Sequence, residues 1–250
     1  MEISEELKNF INENIDLINE NNKESWEQLY QSLNNPIYIG RFTEILSAAN
    51  INPIEKLDYI PCSYMYGLDI TSYIVPSNIT RIERSAFSEC TSLTHILFSD
   101  NLTYIGNSAF YDCNKLSKII LPNSVTFIGS GAFSTNTSLV EISLSDNIKS
   151  IGDLTFQDCK NLVNIKIPDG VISIGKYAFV NCDSLVDVTI PNTIKKISIG
   201  AFNICSNLRE IKFDGTKQQA AKIKIWDQKK WRVDSPIQKI TCTDGEIKLN

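Results

Sequence analysis

The sequence predicts a solenoid, in which short coils of chain stack on one another and a parallel β-sheet runs along one side. The first observation is that a phenylalanine recurs every 23 residues over half of the chain. The second is that several other apolar columns keep the same step. A fixed period of about 20 to 29 residues is typical of proteins built from stacked coils. The phenylalanines are Phe87, Phe110, Phe133, Phe156, Phe179 and Phe202.

A short segment of the form Leu-x-x-Ile-x-Leu predicts one strand in each coil. Apolar residues two apart lie on one face of a strand, and coils in register align their strands as a parallel sheet. One coil alone cannot bury these side chains, so neighbouring coils must cover them. The central column of the segment consists of Ile96, Ile119, Ile142, Ile165, Val188 and Ile211.

A second isoleucine column, usually followed by glycine, predicts a corner of the coil. Glycine at a repeated position indicates either a positive φ or a close approach of two backbones. Proline ends the strand in half of the repeats, where no amide is needed for the sheet ladder. The glycines are Gly106, Gly129, Gly152 and Gly175.

A cysteine column follows the phenylalanine column by three residues, with Asn136 in place of one cysteine. Stacked neighbours lie about 4.8 Å apart with parallel Cβ vectors, whereas a disulfide needs Cβ atoms about 3.8 Å apart. We therefore expect buried, reduced thiols. The odd total of seven cysteines and an acidic N-terminus without an apolar leader favour a reducing compartment, cytoplasmic or virion-associated. The column comprises Cys90, Cys113, Cys159, Cys182 and Cys205.

The unit LSKIILPNSVTFIGSGAFSTNTSL resembles the BspA-like branch of the leucine-rich repeats. Six clear units span Arg81 to Phe213, and a seventh, degenerate unit precedes them with Tyr64 at the phenylalanine position. The resemblance implies a leucine-rich repeat solenoid. It also implies use in binding, because members of the family are mostly interaction proteins and many are surface adhesins. The repeat pattern contains no catalytic residue.

The segments on either side of the repeats predict caps for the two ends of the solenoid. Residues 1–58 are predicted to form a helical N-terminal cap, residues 59–213 the repeats, and residues 214–250 a mixed α/β C-terminal cap. The N-terminal stripe repeats at steps of three and four, and further helices are predicted at Trp26–Leu33, at Phe42–Ala49 and from Pro53 onward. A separate helical binding module is the alternative. The stripe consists of Leu7, Phe10, Ile11, Ile15 and Ile18.

The C-terminal segment predicts a helix at Lys217–Trp226, a strand at Ile237–Cys242 and a hairpin turn at Asp244-Gly245. It also combines several lysines with Trp226 and Trp231, which leaves nucleic-acid contact as an alternative. The net charge of −5 favours a cap whose tryptophans cover the last coil.

Two outward columns of the predicted strands form the candidate binding face. One column begins with three apolar residues and then becomes polar, and contiguous exposed apolar side chains often mark an interaction site. The alternatives are that the N-terminal helices cover these residues, or that they merely favour β-structure. The apolar residues are Ile74, Leu97 and Ile120. The polar residues around them are His95, Lys118, Glu141, Lys166 and Asp187.

The sequence thus predicts a non-enzymatic module that binds a protein partner through the exposed sheet face. The alternatives are a structural component of a virion or cell surface, and a phage-encoded inhibitor that masks a host protein. His95 is the only histidine, no C-x-x-C or phosphate-binding loop occurs, and we predict no metal, cofactor or catalytic site. No stretch approaches the roughly 18 apolar residues of a membrane span.

Overall fold

The computed structural model describes residues 5–20, 24–25, 28–29, 53–225 and 230–249. Within these ranges the chain winds into a solenoid that carries parallel β-strands on two faces. The predicted parallel sheet of stacked coils is confirmed. The second face, with its own ladder of shorter strands, was not predicted.

The long-strand face is formed by the Leu-x-x-Ile-x-Leu segments. Within the repeats, the strands that pair run parallel with a 23-residue offset, as in the pairing of Ser72 with His95. Among the described residues, no ladder joins the second strand of this face to the third, or the fourth to the fifth. The last strand, β17, is antiparallel and closes the sheet. The strands are β2 (Ser72–Ile74), β4 (His95–Leu97), β6 (Lys118–Ile120), β8 (Glu141–Ser143), β10 (Asn164–Lys166), β12 (Asp187–Pro191), β14 (Glu210–Asp214), β16 (Lys239–Cys242) and β17 (Gly245–Lys248).

The short-strand face is formed where the sequence predicted only a corner. Each of its strands is two residues long, and in the first seven the column isoleucine is buried while the preceding residue is exposed or half-buried. The strands form two parallel ladders of four. They are β1 (Tyr59–Ile60), β3 (Arg81–Ile82), β5 (Tyr104–Ile105), β7 (Phe127–Ile128), β9 (Ser150–Ile151), β11 (Ser173–Ile174), β13 (Lys196–Ile197) and β15 (Lys224–Ile225).

A continuous stack of phenylalanine rings fills the interior of the solenoid. The six predicted phenylalanines are all fully buried. Adjacent rings lie nearly parallel, with centroids 5.1 Å apart for Phe87 and Phe110 and 5.8 Å apart for Phe133 and Phe156. Since each ring packs against the rings of the neighbouring coils, the stack links the stability of adjacent repeats.

The cysteine column forms a hydrogen-bonded ladder beside the phenylalanines. Each thiol after Cys90 donates to the phenylalanine carbonyl of an earlier coil, as Cys113 Sγ does to Phe87 O at 3.1 Å. Asn136 preserves this bond, because its Nδ2 donates to Phe110 O at 3.0 Å. Burial raises the pKa of Cys90 to about 12, so the thiol stays protonated at neutral pH. The predicted burial of this column is confirmed, and all seven cysteines are free.

Three of the four corner glycines, Gly106, Gly129 and Gly175, allow close approach of backbones, and none of the four adopts positive φ. A Cβ on Gly175 would lie 2.5 Å from the Gly152 carbonyl carbon and 2.6 Å from the Asp153 nitrogen. Positive φ occurs instead two residues farther along the repeat, for example at Ser108 and Tyr177. Of the two readings of the glycine column, close approach is therefore the correct one.

Replacing Gly175 with alanine is expected to lower the free energy of unfolding by about 1–3 kcal/mol, because the backbone of the preceding coil must shift. Gly152 provides a matched control in the same column. Its added Cβ would meet nothing closer than Thr155 Oγ1 at 3.2 Å. Urea unfolding followed by circular dichroism should show a clearly larger loss for Gly175→Ala than for Gly152→Ala. Equal losses would mean that the close approach does not limit the corner.

The degenerate first unit is offset by one residue from its prediction. Met65, not Tyr64, occupies the phenylalanine position, because Met65 N donates to Ala86 O as Phe87 N does to Ala109 O. Cys90 Sγ likewise donates to Met65 O. This unit is one residue shorter than the others, which the 23-residue step could not reveal.

At the N-terminus the predicted first helix is divided into α1 (Glu5–Glu13) and α2 (Ile15–Glu20). Ile18 is buried, whereas Ile15 is exposed and does not belong to the buried stripe. The region from Pro53 forms a 3-10 turn, Pro53–Glu55, not an α-helix. The helices predicted at Trp26–Leu33 and Phe42–Ala49 lie almost entirely outside the described residues.

At the C-terminus the helix α3 covers only Lys217–Ala220, with a capping box between Thr216 and Gln219. The chain then joins the short-strand face through β15, so the helix is shorter than the predicted Lys217–Trp226. Trp231 is 1% exposed and packs edge-on against Phe202 with centroids 6.0 Å apart.

Candidate partner-binding face

Three apolar side chains project from successive coils of the long-strand face, and we call them the apolar stripe. Ile74, Leu97 and Ile120 are 70%, 62% and 61% exposed. Each follows an inward residue of its strand, so the alternation of the strand requires it to point outward. Their exposure means that α1 and α2 do not cover the stripe.

The stripe borders a shallow groove between β4 and β6. These two strands, both fully described, lie side by side but do not pair as a ladder. The resulting depression has a volume of about 380 Å³. Its outer lining consists of His95, Leu97, Lys118 and Ile120, and its floor and end of Ile96, Phe98, Asp100 and Pro122. The structure therefore places four of the predicted residues around one groove.

The charged members of the predicted site pair between neighbouring coils. Lys118 Nζ lies 3.0 Å from Glu141 Oε2, and Lys212 Nζ lies 2.7 Å from Asp187 Oδ2. The hydrogen bond with Asp187 raises the pKa of Lys212. Such exposed pairs contribute little to stability, because solvent screens them. Their effect is to neutralise local charge on the face.

Lys166 is the exception among these charged residues. It is exposed in the middle strand β10, and within the described part of the chain no carboxylate forms an ion pair with it. It stands in the same outward column as the apolar stripe, two coils beyond Ile120. The face thus presents an apolar stripe and, farther along the same column, a lysine without an ion pair among the described residues.

His95 has a defined ring orientation. Its Nδ1 lies 2.8 Å from Thr94 Oγ1, and that hydroxyl also donates to Thr71 O at 2.8 Å. A hydroxyl has one proton, so His95 Nδ1 must be the donor in its contact with Thr94. The histidine is exposed, as predicted from its outward column.

Two further exposed groups were not predicted. On the short-strand face the Arg81 guanidinium lies 3.8 Å above the ring of Tyr104, which stacks on Phe127 at 4.8 Å. The sequence could have indicated this group, because Arg81, Tyr104 and Phe127 each stand one position before an isoleucine of the corner column. The second group is a column of exposed valines just before the long strands, Val140, Val163 and Val186.

The described part of the chain contains no cluster of three or more histidine, cysteine or acidic side chains arranged to hold a metal ion. No helix among the described residues is both long and apolar enough to cross a membrane. Trp231 lies in the core, so it cannot stack on a nucleic-acid base in this structure.

The sequence model of a protein family, the BspA type leucine-rich repeat region, matches residues 31–139 and 128–224 and finds six copies of the repeat. The chain belongs to this family. Its fold is therefore a leucine-rich repeat solenoid, a fold typical of protein-interaction and surface modules and usually not of enzymes. A search of curated proteins finds no match.

Solved structures of bacterial leucine-rich repeat proteins share the fold. A leucine-rich cell surface protein from Faecalibacterium prausnitzii aligns with a TM-score of 0.52 at 25% identity, over 70% of this chain and 61% of that one. A leucine-rich repeat protein from Bacteroides ovatus aligns with a TM-score of 0.51 at 21% identity, over 76% of this chain and 60% of that one. The BspA-type chain thus spans about three fifths of each of these two proteins.

Proposed function

We propose that this BspA-type chain is a non-enzymatic module that binds another protein through its long-strand face. The observation that carries the proposal is the apolar stripe of Ile74, Leu97 and Ile120, each more than half exposed. Apolar side chains aligned on consecutive coils form a contiguous patch, unlike scattered surface residues, and such patches mark interaction sites.

The chemistry of the face supports binding over catalysis. The groove beside the stripe is shallow, and its charged neighbours Lys118 and Glu141 pair with one another. An exposed ion pair beside a shallow groove is poorly placed for general acid–base work, which needs a group held within hydrogen-bond reach of a bound substrate. A broad apolar centre with a polar surround is the usual anatomy of a protein interface.

The double variant Leu97→Glu with Ile120→Glu is expected to abolish capture of the partner while the fold is retained. Both side chains point away from the core, so the glutamates remain solvated but cannot be buried in an interface without a large cost. The measurement is affinity purification from the native host, with quantitative mass spectrometry of wild type against variant.

A matched control replaces two exposed apolar residues with glutamate on other surfaces of the protein. Ile172 and Val233 are exposed apolar residues outside the long-strand face, and Ile172→Glu with Val233→Glu should capture the partner at wild-type levels. Circular dichroism and the unfolding midpoint establish that both double variants are folded. Wild-type capture by a folded Leu97→Glu with Ile120→Glu variant would show that the stripe is not the binding site.

A structural role at a surface is the second candidate function. It is favoured by the likeness to the Faecalibacterium protein, which is a leucine-rich cell surface protein. The two candidates differ in self-association. A discrete monomer in size-exclusion chromatography with light scattering favours the binding module, whereas a concentration-dependent series of larger assemblies favours the structural role.

A further inference from the structure

We propose that the partner presents an amphipathic α-helix, which lies along the solenoid axis with its apolar side on the stripe and an acidic residue on Lys166. The inference rests on the proposed function and specifies the partner's binding element. It is derived from the spacing of the exposed side chains and from the distribution of charge on the long-strand face.

The spacing of the stripe matches a helix and not an extended strand. Its members lie on successive coils. Ile74 and Leu97 stand on paired strands, which are about 4.8 Å apart, whereas the strands of Leu97 and Ile120, both described in full, do not pair. The phenylalanine rings beneath, at 5.1 Å between Phe87 and Phe110, give a similar step. A helix advances about 5.4 Å per turn, so side chains at i, i+3 or i+4, and i+7 meet three coils in succession. Same-face residues of a strand recur at about 6.6–6.8 Å and lose register by the third coil.

The charge distribution on the face predicts where the partner helix carries an acidic residue. Lys118 is neutralised by Glu141, and Lys212 by Asp187. Lys166 is left as the cation without an ion pair in this column of the described face, two coils beyond Ile120. Two coils correspond to about 10 Å, or about seven residues of a helix. The partner helix therefore carries an aspartate or glutamate about seven residues from the apolar residue that contacts Ile120.

The residue between these two groups leaves room for such a helix. Ser143 lies in the same column between Ile120 and Lys166, and its side chain is small and exposed. A helix that passes over Ser143 meets no large side chain in this column, and Ile120 and Lys166 contact the same face of the helix two turns apart.

The experiment selects binders from two displayed peptide libraries of equal length, about 18 residues each. One library randomises the surface of a stable helical scaffold, and the other consists of unconstrained peptides without helix formers. Wild-type protein is the target, and the Leu97→Glu with Ile120→Glu variant is used to remove peptides that bind elsewhere. We expect stripe-dependent peptides from the helical library, with apolar residues at i, i+4 and i+7 and an acid near i+14.

Charge reversal tests the contact with Lys166. For a selected helical peptide, Lys166→Glu should weaken binding about fivefold, which corresponds to one exposed ion pair. Replacing the peptide's acidic residue with lysine should restore the affinity for Lys166→Glu. The control Lys195→Glu changes an exposed lysine near the short-strand face and should leave the affinity unchanged.

Stripe-dependent peptides that come only from the unconstrained library, with apolar residues at alternating positions, would overturn the helix inference. The same holds if neither library yields a stripe-dependent binder. Neither result bears on the proposed function itself, which the purification from the native host decides. Helical binders that ignore Lys166→Glu would overturn the assignment of the acidic contact.

Discussion

Replacing Phe133 with alanine is expected to lower the free energy of unfolding by about 3–5 kcal/mol. The ring is fully buried and lies between Phe110 and Phe156, with centroids at 5.6 and 5.8 Å. The substitution removes the apolar contacts of the ring and leaves a cavity in the middle of the stack. The neighbouring rings are fixed by their own coils, so they cannot close the gap.

Phe127→Ala is the matched control, because it makes the same chemical change in the same coil. Phe127 is 44% exposed on the short-strand face and loses mainly its stacking on Tyr104, for an expected cost of about 0.5–1.5 kcal/mol. Equilibrium urea unfolding followed by far-UV circular dichroism measures both variants. Similar losses for Phe127→Ala and Phe133→Ala would mean that the stack is not the main source of stability.

The phenylalanine stack and the cysteine column could be predicted from the sequence, because these buried positions accept few residue types. Phe87 to Phe202 and the cysteine column face neighbours identical to themselves in every coil, so the same volume is required at every step. Asn136 shows why one exception is tolerated. Its amide reproduces the bond to Phe110 O, although its buried Oδ1 has no hydrogen-bond partner among the described residues.

The short-strand face could not be predicted, since a strand of two residues contains no alternation to recognise. In Tyr104–Ile105 and Ser150–Ile151 only the isoleucine is constrained by the core, and the outward residue varies freely. The glycine that follows had two physical explanations. Only the structure decides between them, because a Cβ added to Gly175 would lie 2.5 Å from the backbone of the preceding coil.

Part of the candidate site could also be predicted from the sequence. The outward positions of Ile74, Leu97 and Ile120 follow from strand alternation alone, and the structure exposes all three. The 23-residue step places Lys118 beside Glu141 on the next coil, but the contact of their side chains depends on conformations that the sequence does not provide. The groove between β4 and β6 arises from a break in strand pairing that no residue pattern signals.

Replacing Trp231 with alanine is expected to cost about 3–5 kcal/mol, with the damage concentrated at the C-terminal end of the solenoid. The indole covers Phe202, the last ring of the stack. The backbone carbonyls of Lys230 and Trp231 accept hydrogen bonds from the last coil, as the carbonyls of a further coil would. Phe202 N donates to Trp231 O at 2.9 Å, and Gly200 N donates to Lys230 O at 2.7 Å. Without the indole, water reaches the exposed cross-section of the last coil.

The part of the chain that loses stability distinguishes a capping residue from an ordinary core residue. Since each coil contacts only its neighbours, Trp231→Ala should accelerate hydrogen exchange at Phe202 N while exchange at Phe110 N stays near the wild-type rate. Val233→Ala, a change at an exposed residue of the same segment, should affect neither amide. Uniform acceleration along the chain would mean that the solenoid unfolds as a single unit and that Trp231 is not a local cap.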